Sequence, residues 1–297
     1  MGSTHDVWFT EDAGTFLDRA GEYLAADPVV GTVLSTMARR TAEHGPPAGM
    51  PDCWFALVTG AAGEIVGAAM RTAPFEPWPP YLMGMEDGAA VALADAALAR
   101  GIAIDGTNGL RPATDVFSAR VAERTGRQTR VHLHHRLFEL GTLVPPRPVR
   151  GRLREVRSEE ARLALAWIHQ FFRDADEQAG REAGHLNEGA SFGIGDVLRK
   201  LDEGVLWFWV DDEDRPVHLT GANPPAYGVT RIGPVYTPKD ERGRGWAGAA
   251  VAEVSRRIQA DGGRAILFTD QANPTSNALY QGLGYEPVVD TVQLDIF

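Results

Sequence analysis

Between Leu143 and Arg154 the chain reads LVPPRPVRGRLR, a run with three prolines and one glycine. Proline fixes φ and has no amide hydrogen to donate, so such a run carries neither a helix interior nor a central strand. It cuts the 297 residues into two segments of ordinary domain size, each long enough to bury a core of its own. The expectation is two domains, 1–145 and 152–297.

The two segments repeat one order of elements. In the first, WFALV (54–58) and EIVGAAMRT (64–72) read as strands around a glycine-containing turn, followed by YLMGM (81–85). A helix over 89–100 then puts Ala90, Leu93, Ala94, Ala97 and Leu98 at helical spacing, and Gly101 stops it. In the second, strands at 205–212, 215–222 and 231–238 precede a helix over 246–259, whose Ala247, Ala250, Val251, Val254 and Ile258 form one face. A strand at 265–270 and a short helix at 276–281 follow. Helical patterns at 14–42 and 158–174 open the segments, a helix at 112–124 falls late in the first, and strand-like stretches at 131–140 and 291–297 close them. This is an α/β order, and a duplicated unit is its simplest account. Along 207–209, alternation puts Trp207 and Trp209 on one face of a strand and Phe208 on the other, as in a strand covered on both faces.

Composition removes several classes of function. The formal charge of −11 is shared by two acidic halves, which speaks against nucleic acid as a partner and is compatible with a cationic amine. Cys53 is the only cysteine, so there is no disulfide framework and no multi-cysteine metal cluster. His132 and His134 share a strand face beside His135 but have no third ligand near them in sequence, and no metal is expected. The polar, acidic start MGSTHDVWFTEDAG does not read as a signal peptide, and no apolar run approaches the roughly 18 residues of a membrane span. The expected location is the cytoplasm.

The most informative local feature is ERGRGWAGAA (241–250), which follows a strand and opens a helix. Gly243 and Gly245 let backbone curl close to a ligand, and the helix beyond presents unpaired N–H groups and the positive end of its dipole. A diphosphate suits that position, with Arg242 and Arg244 as cationic donors beside it. The Walker pattern GxxxxGK[ST] is absent. Gly243, Gly245 and Gly248 spell GxGxxG, but Trp246 follows the second glycine and no acidic residue closes a βαβ unit.

The run Arg242-Gly243-Arg244-Gly245-Trp246-Ala247 resembles the [QR]xxGx[GA] loop with which GCN5-related N-acetyltransferases (GNATs) hold the CoA diphosphate. Downstream, Asn273, Ser276, Leu279, Tyr280 and Gly284, with Tyr285 for phenylalanine, resemble that family's NxxSxxLYxxxGF segment. The resemblance covers roughly 155–297. It implies two tandem GNAT-like domains, each a mixed, mostly antiparallel sheet with one splayed parallel strand pair flanked by helices. It also implies acetyl-CoA as co-substrate and transfer of acetyl to a primary amine of a small molecule.

By the same resemblance, strands 231–236 and 265–270 splay apart, Gly233-Pro234 begins the splay with a bulge, and Val235 and Tyr236 offer backbone groups to the pantetheine arm. Asn273 bonds the arm or caps the short helix. Tyr280 is the candidate general acid, a phenol that protonates the departing thiolate. The candidates for accepting the amine's proton are His169, Asp176, Glu177, His185 and Asp270, with no motif to choose among them. In the first half the corresponding loop reads Gly84-Met85-Glu86-Asp87-Gly88, with acidic residues where a diphosphate would lie. That half reads as a degenerate copy without a CoA loop, and the protein as a monomer or weak homodimer. The rival readings are an acyltransferase using another acyl-CoA, and a CoA-binding sensor or partner-binding protein without turnover.

Overall fold

The computed structural model describes residues 5–47, 49–50, 52–182, 189 and 191–297. The chain divides into two compact units, Met1–Arg136 with Val289–Phe297, and Leu137–Val288. The boundary falls before the proline-rich stretch, because that stretch is fastened to the second unit. Gly141 N–H donates to Gly284 O (3.1 Å), Val144 N–H to Leu283 O (2.9 Å), and Trp209 Nε1 to Arg150 O (2.9 Å).

The first unit contains β1 (Asp6–Thr10), α1 (Ala13–Ala26), α2 (Thr32–His44), β2 (Trp54–Thr59), β3 (Ile65–Arg71), β4 (Tyr81–Leu82), α3 (Asp87–Ala99), β5 (Gly106–Leu110), α4 (Ala113–Thr125) and most of β6 (Thr129–Leu140). β1, β2, β3 and β4 pair antiparallel in that order, and β4 pairs parallel with β5. One face packs Trp54, Ala56, Val58 and Leu82 against Leu93, Ala97 and Phe117 of α3 and α4. On the other face Phe16 of α1 stacks on Phe55 at 4.9 Å between ring centroids. Asp12 caps α1 by accepting from Thr15 N–H at 2.5 Å. β5 reads GTNGL, and glycine is required at 109: φ is 146° and a Cβ would lie 2.3 Å from Leu82 O. At the start of α3, Glu86 is the N-cap residue and its Oε1 lies 2.6 Å from His5 Nε2.

The second unit contains β7 (Arg152–Glu155), α5 (Ala161–Gln178), α6 (Ile194–Asp202), β8 (Leu206–Val210), β9 (Pro216–Ala222), β10 (Val229–Tyr236), α7 (Trp246–Ala260), β11 (Arg264–Asp270), α8 (Pro274–Gly282) and the start of β12 (Tyr285–Ile296). β7 overlaps the end of the proline-rich run, at the first residues of the expected second domain. Among the described residues it pairs along β8 alone, an edge position that tolerates the Pro145–Gly151 approach. β7 to β10 are antiparallel and β10 pairs parallel with β11. Both sheet faces are covered, as the Trp-Phe-Trp alternation requires: Trp209 joins Val217, Ile232, Leu267, Val251 and Tyr280, whereas Phe208 joins Ile168, Val197, Leu219 and Tyr236. α7 is buried more broadly than its one apolar face predicts, with Gly248, Ala249 and Ala252 also covered. Pro146 approaches it at Gly248, so the proline-rich stretch supplies the second cover.

The later half of β12 pairs antiparallel with β5, from Thr291↔Leu110 to Asp295↔Gly106, and so belongs to the first unit. The sequence placed these last residues with the second domain. The expected layout, a mixed and mostly antiparallel sheet with one parallel pair and flanking helices, is present in each unit.

Candidate active site

The parallel register of β10 and β11 runs from Val229↔Arg264 to Ile232↔Leu267. Beyond it β10 bulges at Gly233 and Pro234, and its next partners, Val235↔Thr220 and Tyr236↔Leu219, are on β9. β11 continues to Asp270. The two strands therefore part after Leu267, and among the described residues β10 keeps a free edge toward β11 along Val235 and Tyr236. Alternation sends Val235 to the face carrying α7 and α8, and Tyr236 to the face carrying α5 and α6.

The chain leaves β10 through a 3₁₀ turn, Lys239–Glu241, and reaches α7 through two left-handed glycines, Gly243 (φ 77°) and Gly245 (φ 86°). At Gly243 a Cβ would meet nothing within 4 Å; at Gly245 it would lie 2.9 Å from Val149 Cγ1. Arg242 N–H donates to Lys239 O (3.4 Å), and the next backbone bond from this turn is Ala249 N–H to Gly245 O (3.1 Å). Among the described residues the amides of 243–248 have no backbone acceptor, and Gly245 supplies no side-chain cap. This is a helix N-terminus with its orphan donors and dipole open to an anion. Trp246 lies at the first position of α7 and Ala247 at the second; the Trp246 Nε1 is buried without an acceptor among the described residues.

The two arginines of the turn are engaged by protein groups. Arg244 pairs with Glu241 at 2.9 Å and donates to Asp240 O. Arg242 turns inward: Nε donates to Thr237 O (3.0 Å) and Nη2 to Asp174 Oδ2 (2.5 Å). Asp174, on α5, is 2 % exposed. Gln170 Nε2 also donates to it (2.5 Å), the Tyr236 hydroxyl donates at 3.3 Å, and Lys239 Nζ stands 3.7 Å away. Burial and the Asp174 charge push the Tyr236 phenol up to about 12. Below this network His218 is fully buried between two hydroxyls, Thr237 Oγ1 on Nδ1 and Thr220 Oγ1 on Nε2, both at 2.7 Å. Burial pulls its pKa down to about 3, so the ring is neutral.

Tyr280 lies on α8 in the apolar cluster that also holds Ile232, Leu267 and Leu283, with Val235, Trp246 and Leu279 packed against it. Its ring meets Tyr285 edge to face at 6.0 Å. The Tyr285 hydroxyl is tied to Ser255 Oγ at 2.7 Å, whereas that of Tyr280 has no hydrogen-bond partner among the described residues. Burial raises the Tyr280 pKa, so the phenol keeps its proton at any working pH. Asn273 caps α8: its Oδ1 accepts from Ser276 N–H (3.1 Å), and its Nδ2 donates to Gln178 Oε1 (2.8 Å).

The proton-acceptor candidates are dispersed. His169 Nε2 is 2.8 Å from Phe192 O. Glu177 is exposed and paired with Lys239. Asp176, 1 % exposed, and Asp270 share the guanidinium of Arg181, which approaches Asp176 at 3.5 Å and hydrogen-bonds Asp270. His185 lies outside the described residues. In the first unit His132 Nδ1 is 3.4 Å from Asp295, and among the described residues no three His, Cys, Asp or Glu side chains group as metal ligands. No described helix is long and apolar enough to cross a membrane.

Sequence reasoning passed over Asp174 and His218. Asp174 had a signal: it stands seven residues after Trp167, whose ring is 6.1 Å from Tyr236, and four after Gln170, so it faces inward. His218 had none beyond an interior strand position.

Residues 220–294 match the family model described as FR47-like protein. No curated protein matches the chain. Among solved structures, a protein from Drosophila is similar over 100 % of this chain and 99 % of its own, with 14 % identity and a TM-score of 0.63. A tandem GNAT protein from the clavulanic acid biosynthesis pathway covers 98 % of both chains, at 15 % identity and a TM-score of 0.58. A GCN5-related N-acetyltransferase from Sphaerobacter thermophilus covers 99 % of this chain and 96 % of its own, at 17 % identity and a TM-score of 0.57.

Proposed function

We propose that this chain, a protein of the GCN5-related N-acetyltransferase fold with an FR47-like segment at 220–294, transfers acetyl from acetyl-CoA to a primary amine of a small molecule. The observation that carries the reading is the convergence of three features on one end of the second unit. These are the parting of β10 from β11, the unpaired amides of the glycine turn, and an unpartnered phenol in the cluster that lines the gap.

In this reading the amides of 243–247 hold the diphosphate, and the free edge of β10 at Val235 and Tyr236 pairs with the amides of the pantetheine arm. The amine nitrogen attacks the thioester carbonyl carbon, the carbon–sulfur bond breaks, and Tyr280 gives its proton to the departing sulfur. Nitrogen then loses one proton, which balances the one Tyr280 gave and returns to it through solvent. Asn273 holds the start of α8, and with it Tyr280, in place. The first unit takes no part in holding CoA: Glu86 and Asp87 occupy the start of α3, where a diphosphate would meet like charge. The reading therefore has one active site per chain.

The test is calorimetric titration with acetyl-CoA, followed by mass spectrometry of a panel of small amines incubated with both. One acetyl-CoA bound per chain and a product heavier by one acetyl group support the reading. Absence of CoA binding overturns it, and binding without turnover across the panel favours a CoA sensor. Propionyl- and succinyl-CoA in the same assay separate acetyl transfer from transfer of another acyl group.

A further inference from the structure

Asp174 joins both halves of the cofactor site from a helix that belongs to neither. Its Oδ2 accepts from Arg242 of the glycine turn at 2.5 Å and from the Tyr236 hydroxyl of the parted strand at 3.3 Å, and its Oδ1 accepts from Gln170 at 2.5 Å. At 2 % exposure a carboxylate is costly unless it is paired, and here Arg242, Lys239 and two neutral donors pair it. The converse matters more. With Nη2 on Asp174 and Nε on Thr237 O, the Arg242 guanidinium is held at two points immediately before Gly243. The glycines that follow are conformationally free. Arg242 is thus the side chain that anchors the turn where it begins, and of the pair of groups that hold Arg242, Asp174 is the one side chain.

We propose that Asp174 is a positioning residue for diphosphate recognition: through Arg242 it sets the glycine turn so that the amides of 243–247 converge on the diphosphate of CoA. The inference rests on the acetyl-CoA reading above. It assigns Asp174 no contact with the reacting atoms. It also separates the two parts of the cofactor, because the pantetheine arm meets the β10 backbone, whose pairing with β9 does not depend on Arg242.

The test compares Asp174→Asn with the parent for acetyl-CoA, acetyl-dephospho-CoA and S-acetylpantetheine, with affinities from calorimetry and, for the weak pantetheine ligand, ligand-observed NMR. The two diphosphate-containing ligands should each lose about tenfold or more in affinity, the size of one lost charge-assisted hydrogen bond, while S-acetylpantetheine is unchanged. Arg242→Ala should show the same selective loss, and the double variant no more than either single, since the residues act as one unit. Equal losses for all three ligands, or additive losses in the double variant, overturn the inference. If Asp174→Asn does not fold, the half-exposed Arg242→Ala alone decides, and unchanged diphosphate affinity in it is the overturning result. A parent that binds none of the ligands removes the acetyl-CoA reading itself; a parent that binds CoA with an unselective Asp174→Asn removes this inference alone.

Discussion

The imidazole Nδ1 of His218 lies 2.7 Å from the Thr237 hydroxyl, on the residue whose carbonyl holds Arg242. A fully buried ring thus underpins the segment between β10 and the glycine turn. Its folded pKa is depressed from 6.5 to about 3. Between those values the unfolded chain binds a proton that the native protein does not, so stability falls as pH drops below 6.5. The slope from this residue approaches about 1.4 kcal/mol per pH unit. Urea melts at pH 7 and pH 5 should show this loss in the parent and a clearly smaller one in His218→Gln. Equal losses in the two proteins would remove the assignment.

Tyr280→Phe deletes an oxygen that bonds nothing among the described residues, so the fold should be unaffected. The thermal midpoint and acetyl-CoA affinity should match the parent, while kcat falls by about 10²- to 10⁴-fold if the phenol is the general acid. Parental turnover in the variant would strip Tyr280 of that role. Since burial raises the phenol's pKa, no alkaline loss of activity from Tyr280 should appear below pH 10.

The two glycines of the turn should differ in their tolerance of alanine. Gly243→Ala meets no neighbour and bears only the left-handed backbone cost, about 1 to 2 kcal/mol. Gly245→Ala adds a methyl 2.9 Å from Val149 Cγ1. Chemical denaturation should rank it the less stable of the two; the reverse order would mean that the Val149 contact yields freely.

Asn273→Ala removes the cap of α8 and its bond to Gln178, with an expected loss of about 1 kcal/mol. Asn273→Ser should recover most of it, because serine also caps. If serine is no better than alanine, the Gln178 bond is the more important of the two.

What the sequence made legible is the part whose residue types follow from local backbone demands. Gly243 and Gly245 are glycines because φ is positive there, and Gly233-Pro234 interrupts the ladder where the bulge forms. The alternation at 207–209 reported a strand covered on both faces. Other parts were hidden because tertiary context overrode local preference. β5 reads GTNGL, a loop by composition, and is a strand because β4 and β12 pair on either side of it. α6 follows Gly189 and Gly193, with Gly195 in its first turn, and was not among the expected helices. β7 was absorbed into the proline-rich run. Of the site, the turn and Tyr280 were visible through motifs, whereas Asp174 was one acid among several near the end of α5. Helical spacing from Trp167 and Gln170 could turn Asp174 inward, but no pattern in the sequence gives its partner, Arg242, which it meets across 68 residues, while Glu177 is solvated.

β12 carries a consequence for how the chain is made. Its first residues belong to the second unit, and the stretch from Val289 onward completes the first by pairing with β5. A nascent chain that has released everything up to Arg136 therefore still lacks the strand that flanks β5, and obtains it only once Val289 and the residues after it have been made. The earlier of the two units is finished after the later one, and a chain cut short before Val289 leaves β5 of the earlier unit as an open sheet edge.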